Sequence, residues 1–270
     1  MSHLFDAILF GMIQGLTEFL PISSSGHLLL AHYLLHYDPG HALMFDVALH
    51  VGTLLALVLY FWRDIGALLK GFFSSFRTQV RTPEQRLPWL ILLAAIPAAI
   101  FGGLFDDFFE SLRSPWIVVA TFIVFGIVFL VVERVGTKTR TMNELRWRTA
   151  LGIGLAQVLA LVPGVSRSGV TIAAGMVAGI RRDQSARFTF LLSIPVVAGA
   201  AAKKLLDLGH HGLKPDEQGA MIAGIVSAAV VGYAVIRFLL RYLANHRLDV
   251  FAYYRFGVAG LVLLGLLALR

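Results

Sequence analysis

A carboxylate stands inside an apolar stretch near the start of the chain, where residues 16–20 read LTEFL and Glu18 is the acidic member. Burying an unpaired carboxylate there is costly, so Glu18 requires a partner or a function. Gln14 lies one helical turn earlier, so both side chains project from one helix face. A carboxylate and an amide oxygen can bind a divalent cation, and phosphate oxygens and water can complete its coordination shell. Gln14 and Glu18 are therefore predicted to be metal ligands. A basic partner for Glu18 and a helix-packing role for Gln14 are the alternatives.

Three hydroxyls, a glycine and an imidazole follow in the sequence SSSGH, directly before a new apolar helix. Helix N-termini expose backbone amides and attract phosphate groups. We therefore expect substrate contacts from Ser23, Ser25 and Gly26. Ser24 is predicted as the catalytic hydroxyl and His27 as the catalytic imidazole. Taken singly, each serine could be a helix cap, and His27 could be a buried histidine whose ring is satisfied by neighbours.

A second run, SRSGVT, begins at Ser166 and adds a guanidinium, the planar charged fork that matches phosphate oxygens. Arg167 is predicted to clamp the anion. Further substrate contacts are expected from Ser166, Ser168 and Gly169. A role as counter-ion of Glu18 is compatible with the clamp. One acid, one imidazole, several hydroxyls and one arginine at two helix N-termini are the components of a phosphoryl-transfer site.

The elements that hold these residues must lie in a membrane, because 57% of the 270 residues are hydrophobic and only 14% are charged. Uncharged runs approach the roughly 20 residues that a spanning helix needs. We predict an all-α polytopic membrane protein, a single membrane domain over residues 1–270, with six full spans. The predicted spans are 43–62, 87–105, 116–134, 186–206, 218–240 and 250–269.

Two apolar segments, 3–36 and 148–181, are broken in the middle by the runs PISSSG and PGVSRSG. Backbone groups at such breaks are tolerated at membrane depth only where protein or water satisfies them, so both segments are predicted to be re-entrant helical hairpins. The segments match each other at one constant offset, with the prolines one position out of step. The matching pairs are Gln14 with Gln157, Ser23 with Ser166, Gly26 with Gly169 and Phe45 with Phe188.

This offset predicts two repeats, residues 1–135 and 147–270, each with one re-entrant hairpin followed by three transmembrane helices. Three crossings invert the second repeat relative to the first. Inverted repeats with broken helices bring two tips together near the middle of the membrane. The two predicted tips should therefore converge on one cavity.

Lysine and arginine cluster in segments 63–86 and 134–148, so both are predicted to be cytoplasmic loops. The acidic run at 106–110 (DDFFE) then lies on the outer side, and the first hairpin enters from outside. Three lysines in the outer loop are exceptions, namely Lys203, Lys204 and Lys214. The positive-inside rule accounts for the net charge of +7, and no nucleic acid partner is expected.

Several other polar positions stay outside the predicted site. Asp46 and His50, one helical turn apart, could line the cavity, pair with each other or lie near the membrane surface. Arg255 is expected to snorkel from the inner end of the last span. No zinc site is expected, because a complete ligand set is missing around His32, His36 and His41. Gly175 and Gly179 have the GxxxG spacing that mediates packing within one chain or in a homodimer.

Residues 14–27 (QGLTEFLPISSSGH) and 163–169 (PGVSRSG) closely resemble the two signatures of the bacterial undecaprenyl pyrophosphate phosphatase family. Chain length, span pattern and the position of each signature also agree, so the resemblance covers essentially the whole chain. It implies hydrolysis of undecaprenyl pyrophosphate to undecaprenyl phosphate and inorganic phosphate, which recycles the lipid carrier of cell-wall synthesis. It further implies bacitracin resistance and a place in the bacterial inner membrane, with the active site open to the periplasm.

By position, the family's acidic motif falls on Gln14 and Glu18, its histidine on His27 and its serines on residues 23–25. Arg167 takes the place of the pyrophosphate-binding arginine. Many members have glutamate where this chain has Gln14, and an amide cannot serve as an anionic ligand or a general base. The resemblance also implies Mg²⁺ or Ca²⁺ as cofactor, which agrees with a carboxylate and a pyrophosphate sharing a cation.

The expected reaction is attack of water or a serine on the terminal phosphorus, with His27 as proton shuttle or as transient phosphoryl acceptor. A transporter or flippase of an isoprenoid phosphate lipid is the alternative, because inverted halves with re-entrant hairpins also describe alternating-access proteins. A carrier, however, has no need of an arginine clamp, an imidazole and clustered hydroxyls together. A scaffold role is disfavoured by the cost of placing Glu18 and Arg167 within apolar hairpins.

Overall fold

The computed structural model describes residues 2–35, 42–77, 82–208 and 215–268, and the regular elements within them are helical. In chain order the α-helices are α1 (Ser2–Phe19), α2 (Ser24–Leu35), α3 (Ala42–Tyr60), α4 (Trp62–Ser74), α5 (Pro83–Leu104), α6 (Asp106–Ser111), α7 (Pro115–Arg134), α8 (Trp147–Val158), α9 (Arg167–Val177), α10 (Arg182–Leu208), α11 (Pro215–Asn245) and α12 (Asp249–Ala268). Short 3₁₀ segments cover Met142–Glu144 and Leu159–Leu161.

Five of the described helices, α5, α7, α10, α11 and α12, are long and apolar enough to cross a membrane. A sixth span is obtained if α3 and α4 are taken as one bent pair, with 77° between their axes. These helices overlap the six spans predicted from the sequence. The prediction of an all-helical protein with several membrane-spanning segments is therefore confirmed at this level.

The segment predicted as one cytoplasmic loop over 63–86 contains most of a helix, α4. Helix α4 turns away from α3 immediately after Phe61, and its exposed face carries Trp62, Leu69 and Phe73. Apolar and basic side chains on one short helix are typical of a segment that lies along a membrane surface. The next helix begins at Pro83, where the Thr82 backbone N–H donates to Gln85 Oε1 at 3.0 Å.

Helix α1 packs closely against α11 through small residues. A Cβ atom added to Gly11 would lie 2.4 Å from the Gly224 carbonyl oxygen, and one added to Gly15 would lie 2.8 Å from the Ala228 carbonyl oxygen. These contacts advance in the same direction along both helices, so α1 and α11 run parallel. The backbones approach closely because no larger side chain separates them.

Most of the other long helices also pack in pairs. Helix α5 packs on α8, α3 packs on both α10 and α11, and α7 packs on α12. A Cβ atom at Gly154 of α8 would lie 2.5 Å from the Ala94 carbonyl oxygen of α5. The main apolar core joins most of these helices, and its buried aromatic centre includes Phe19, Phe61 and Phe190.

Gly175 packs one helix of this chain against another. A Cβ atom at this position would lie 2.7 Å from the hydroxyl oxygen of Ser185 at the start of α10. Gly179, two residues after the end of α9, has a φ of +87°, a left-handed conformation that prevents the helix from continuing. The GxxxG pair thus serves contacts and chain reversal within the chain, and a homodimer stays a prediction.

We expect Gly154→Ala to destabilise the protein and Gly152→Ala, on the same helix, to leave it as stable as the wild type or more so. Both changes raise helix propensity, but a Cβ atom at Gly154 would overlap α5 whereas none meets a neighbour at Gly152. Overpacking costs about 1–3 kcal/mol. Thermal unfolding in detergent measures the difference, and equal midpoints for the two variants would contradict the close packing of α5 on α8.

Candidate active site

The chain between α1 and α2 forms a tight turn that ends on a capping serine. Ser23 has a φ of 75°, and its Oγ accepts the backbone N–H of Gly26 at 3.3 Å. The Oγ atoms of Ser23 and Ser25 are 3.2 Å apart, within hydrogen-bonding distance. A left-handed serine costs about 1–2 kcal/mol, so the surrounding contacts must hold it in place.

The turn before α9 has the same local structure. Ser166 has a φ of 77°, and its Oγ accepts the Gly169 backbone N–H at 3.1 Å. The Oγ atoms of Ser166 and Ser168 are also 3.1 Å apart. The sequence correspondence between the two runs thus extends to backbone conformation and capping. The predicted substrate contacts Ser23, Ser25 and Gly26 lie in the first turn, and Ser166, Ser168 and Gly169 lie in the second.

The two turns touch each other. Ser168 Oγ donates to the backbone carbonyl of Leu20 at 3.1 Å. Because this bond joins residues 148 positions apart, it fixes the relative position of the two helix N-termini. The convergence of the two runs, inferred from the sequence, is thereby observed.

Arg255 of α12 binds both turns at once. Its side chain is fully buried, and the guanidinium donates to the carbonyls of Pro21, Gly164 and Val165, each at 2.9 Å. Phe122 and Phe129 also face the guanidinium, with ring centroids 5.2 and 5.0 Å from its central carbon. The prediction that Arg255 snorkels to the membrane surface is therefore wrong, because the side chain is buried and backbone carbonyls inside the protein bind its guanidinium.

Glu18 is the centre of the cluster that the two turns enclose. Its carboxylate accepts the Ser24 hydroxyl at 2.5 Å and the Gln14 amide at 3.1 Å. Arg167 Nη2 lies 3.5 Å from the other carboxylate oxygen, and the Glu18 side chain is only 7% exposed. The structure therefore brings together four of the predicted site residues, one acid, one amide, one hydroxyl and one guanidinium.

Two polar atoms of this cluster are buried without a hydrogen-bond partner among the described residues. They are Gln14 Oε1, an acceptor, and Arg167 Nη1, a donor. An unsatisfied acceptor beside a carboxylate suits a cation, and an unsatisfied guanidinium donor suits an anion. The side chains therefore fit a divalent ion and a phosphate together.

His27 does not contact Glu18 in the structure. Its Nδ1 is bonded to the Ser23 backbone carbonyl at 2.7 Å, and its Nε2 is 2.9 Å from the Tyr254 hydroxyl. The imidazole ring also stacks on the Tyr254 ring, with centroids 5.7 Å apart. This arrangement corresponds to the alternative in which neighbouring groups satisfy the hydrogen bonding of the His27 ring.

His50, which lies outside the site predicted from the sequence, is the histidine beside Glu18. Its Nε2 is 3.6 Å from Glu18 Oε2, and its Nδ1 is fixed by the Asp46 backbone carbonyl at 2.7 Å. In the sequence, the only indication is that Asp46 and His50 lie on one face of an apolar span. A position near the membrane surface explains that spacing equally well, so the contact of His50 with Glu18 is evident only from the fold.

Asp46 joins three segments around the cavity. Its carboxylate is 3.0 Å from His32 Nε2 and 3.6 Å from Arg113 Nη2. Two of the histidines weighed as zinc ligands, His36 and His41, lie outside the described residues. Within the described part of the chain, three or more histidine, cysteine and acidic residues nowhere converge as a metal site.

A cavity of about 520 Å³ extends from the two turns toward the acidic segment before α7. Ser25, His50 and Arg167 line it near the turns, and Asp106 and Glu110 line it in the segment predicted to lie outside. Its walls are mostly small and apolar, with Ala95, Ala98, Ala99, Gly102 and Gly103 of α5 and Pro195, Val196, Gly199 and Ala200 of α10. Such a cavity has polar groups for a headgroup and apolar walls for a chain.

One of the exceptional lysines is explained by this region. Lys203, near the C-terminal end of α10, pairs with Asp106 at 2.7 Å. The lysine thus neutralises an acid of the segment predicted to lie outside. Its position is compatible with the predicted orientation because the positive-inside rule describes an average over loops.

Several membrane-spanning helices, and a buried acid, hydroxyl and guanidinium that meet at two helix N-termini, define the class: a multi-pass helical membrane protein with an internal site suited to an anion. The chain belongs to the family described as bacitracin resistance protein BacA, whose model matches residues 7–261. The resemblance seen in the two signatures is confirmed.

Relatives named undecaprenyl-diphosphatase match over nearly their full length. One from Rubrobacter xylanophilus is 48% identical over 97% of this chain and 98% of its own length. Another from Moorella thermoacetica is 44% identical over 95% of each chain, and one from Geotalea daltonii is 43% identical over 96% of this chain and 97% of its own.

We predict that Arg255→Met lowers the free energy of unfolding by several kcal/mol. Each buried carbonyl left without a donor costs about 1–3 kcal/mol, and three carbonyls depend on Arg255. Arg247→Met is the matched control, since that side chain is 52% exposed and its ion pair with Asp249 contributes little. Thermal midpoints in detergent compare the two variants. Equal small shifts would show that Arg255 does not hold the turns together.

Proposed function

We propose that this chain hydrolyses undecaprenyl pyrophosphate to undecaprenyl phosphate and inorganic phosphate. The observation that carries the proposal is the cluster of Glu18, Ser24 and Arg167 at the meeting point of two helix N-termini. The relatives that cover nearly the whole chain carry the name undecaprenyl-diphosphatase, which supports the same activity. Release of the lipid phosphate would serve cell-wall synthesis and give bacitracin resistance, in keeping with the family description.

The pyrophosphate group binds between the two turns in this proposal. The unpaired Nη1 of Arg167 donates to a phosphoryl oxygen, and the capped turns supply backbone amides and hydroxyls from residues 23–26 and 166–169. The apolar walls of α5 and α10 then receive the first isoprene units. This arrangement keeps the charged group inside the protein and the chain in an apolar environment.

The chemistry follows from the contact between Ser24 and Glu18. A hydroxyl oxygen attacks the terminal phosphorus, Glu18 accepts the hydroxyl proton, and the bond from that phosphorus to the bridging oxygen breaks. Undecaprenyl phosphate leaves with the bridging oxygen. Ser24 is the hydroxyl that the geometry supports best, because it already donates to Glu18. Water then releases the phosphoryl group from the serine as inorganic phosphate.

Two histidines are candidates for proton transfer. His27 would have to release either the Ser23 carbonyl or the Tyr254 hydroxyl before it could act. His50 already presents Nε2 toward Glu18 and lines the cavity. We therefore assign proton transfer from Glu18 to His50, and we assign His27 to holding the first turn against α12.

A divalent cation, Mg²⁺ or Ca²⁺, fits the side chains that are present. Glu18 and the free Oε1 of Gln14 would hold it, and its chemistry would be to offset the negative charge of the pyrophosphate. One carboxylate and one amide are few protein ligands. Mg²⁺ commonly uses one or two carboxylates and completes its shell with phosphates and water, whereas Ca²⁺ prefers more protein oxygens.

The proposal includes two re-entrant hairpins in two inverted repeats. In two such repeats α1 is equivalent to α8, α3 to α10, and α5 to α11. The contact of α1 with α11 is then equivalent to the contact of α8 with α5, and the contact of α3 with α10 is equivalent to itself. The first turn also lies near the middle of α11, where a Cβ atom at Gly232 would meet Phe19 at 2.9 Å. These correspondences support a pseudo-twofold relation and a tip at membrane depth.

We place the protein in the inner membrane of a bacterium, with the cavity open toward the periplasm. The cavity includes Asp106, Glu110 and Arg113, in the acidic segment that the positive-inside rule puts outside. The basic helix α4 and the basic segment 134–148 then face the cytoplasm. Membrane lipids surround the apolar exposed side chains of the spanning helices.

The first experiment is phosphate release from a polyisoprenyl pyrophosphate by the purified, detergent-solubilised chain. We expect release by the wild type to require a divalent ion, and Arg167→Ala to lower kcat/KM by about 10²–10³, the usual loss when one preorganised donor is removed. Arg134→Ala is a suitable control, because that arginine caps the end of α7 through the Leu130 carbonyl, outside the cavity.

No phosphate release by a folded wild-type protein would instead support a transporter or flippase of the same lipid. Release that is unaffected by Arg167→Ala would keep the enzyme but remove the clamp.

The two histidine assignments are separated by His50→Gln and His27→Gln. We expect His50→Gln to lower kcat by about 10²–10⁴, the range for a lost general acid–base group. His27→Gln should mainly lower the thermal midpoint, because it weakens the link between the first turn and Tyr254. The reverse pattern, with kcat lost at His27 and kept at His50, would return proton transfer to His27.

A further inference from the structure

Gln157 is a buried polar side chain that nothing in the described chain satisfies. It lies in the last turn of α8, is only 2% exposed, and has neither a donor for Oε1 nor an acceptor for Nε2. The same side chain lines the cavity that contains Arg167 and His50. Buried amides are nearly always hydrogen-bonded, so a partner from outside the chain is indicated.

The contrast with Gln14 shows why this amide is unsatisfied. Gln14 stands at the matching position of the first half, and its Nε2 donates to Glu18 one helical turn later. The residue one turn after Gln157 is Leu161, which also lines the cavity and has no polar group. The second half therefore retains the amide but lacks the carboxylate that accepts the amide N–H in the first half.

An ionised pyrophosphate supplies what the Gln157 side chain lacks. Phosphoryl oxygens are acceptors, so they suit Nε2, and a water of the anion's hydration shell can donate to Oε1. Arg167 Nη1, the other unpaired donor of this cavity, favours the same anion. Two unsatisfied donors in one cavity indicate a shared ligand rich in acceptors.

We propose that Gln157 is a substrate contact that donates Nε2 to a phosphoryl oxygen of the pyrophosphate group while Oε1 accepts from a bound water. The inference rests on the proposed phosphatase function and adds one residue to its binding site. It also predicts a conflict between stability and activity at this position, because the amide is unsatisfied until substrate is bound.

The test uses Gln157→Met and Gln157→Glu in the purified full-length chain. Methionine keeps the length of the side chain but removes the unsatisfied amide, so the thermal midpoint without substrate should stay equal or rise. In the same preparation kcat/KM for a polyisoprenyl pyrophosphate should fall at least tenfold. Gln157→Glu should lower kcat/KM further, because a carboxylate repels the anion. Gln218→Met, on the exposed start of α11, controls for the loss of a glutamine.

Two results would overturn the inference while leaving the phosphatase intact. Wild-type kcat/KM in Gln157→Met would show that the amide does not touch the substrate. A thermal midpoint clearly below the wild type in Gln157→Met would show that the amide has a partner within the folded chain. Failure of the wild type to release phosphate is a different outcome, and it would refute the proposed function itself.

Discussion

The fold depends on satisfying backbone carbonyls where two helices are interrupted inside an apolar protein. Arg255 does this for both interruptions, since its guanidinium binds the carbonyls of Pro21, Gly164 and Val165. Water would satisfy the same groups in a soluble loop, but an apolar interior requires a protein donor. Arginine is suited to the task because one planar group presents five donors. This interaction, together with the bond from Ser168 to the Leu20 carbonyl, holds the two turns and the polar groups they carry in one relative position.

The two turns share one local structure but contribute different chemistry. Each begins with a left-handed serine whose hydroxyl caps the following helix, Ser23 in one and Ser166 in the other. The next residue is Ser24 in the first turn and Arg167 in the second, and both side chains reach Glu18. One half thus supplies the acid and the hydroxyl, and the other supplies the cation. Neither half by itself brings a guanidinium beside an acid and a hydroxyl.

Local patterns in the sequence predicted what depends on local structure. Helix spans follow from apolar runs, and the turns follow from proline, serine and glycine at matching positions, which also singled out Glu18 and Arg167. The snorkelling prediction for Arg255 is wrong because its partners lie 234, 91 and 90 residues away in the sequence. Proximity in the sequence predicts His27 beside Glu18, whereas the ring partner of His27, Tyr254, is 227 residues distant. Such contacts carry no periodicity, so only the packed structure reveals them.

The charge balance of the site explains why an added cation is a reasonable expectation. Glu18 and Arg167 carry opposite charges within 3.5 Å, so they largely cancel each other. Arg255 is directed at carbonyls, and Arg113 and Lys203 at the cavity wall are each near an aspartate. These pairings leave little excess positive charge around the cavity for a pyrophosphate, which is the reason for proposing a divalent ion beside the substrate. Because the protein offers few ligands of its own, the ion and the substrate should bind cooperatively.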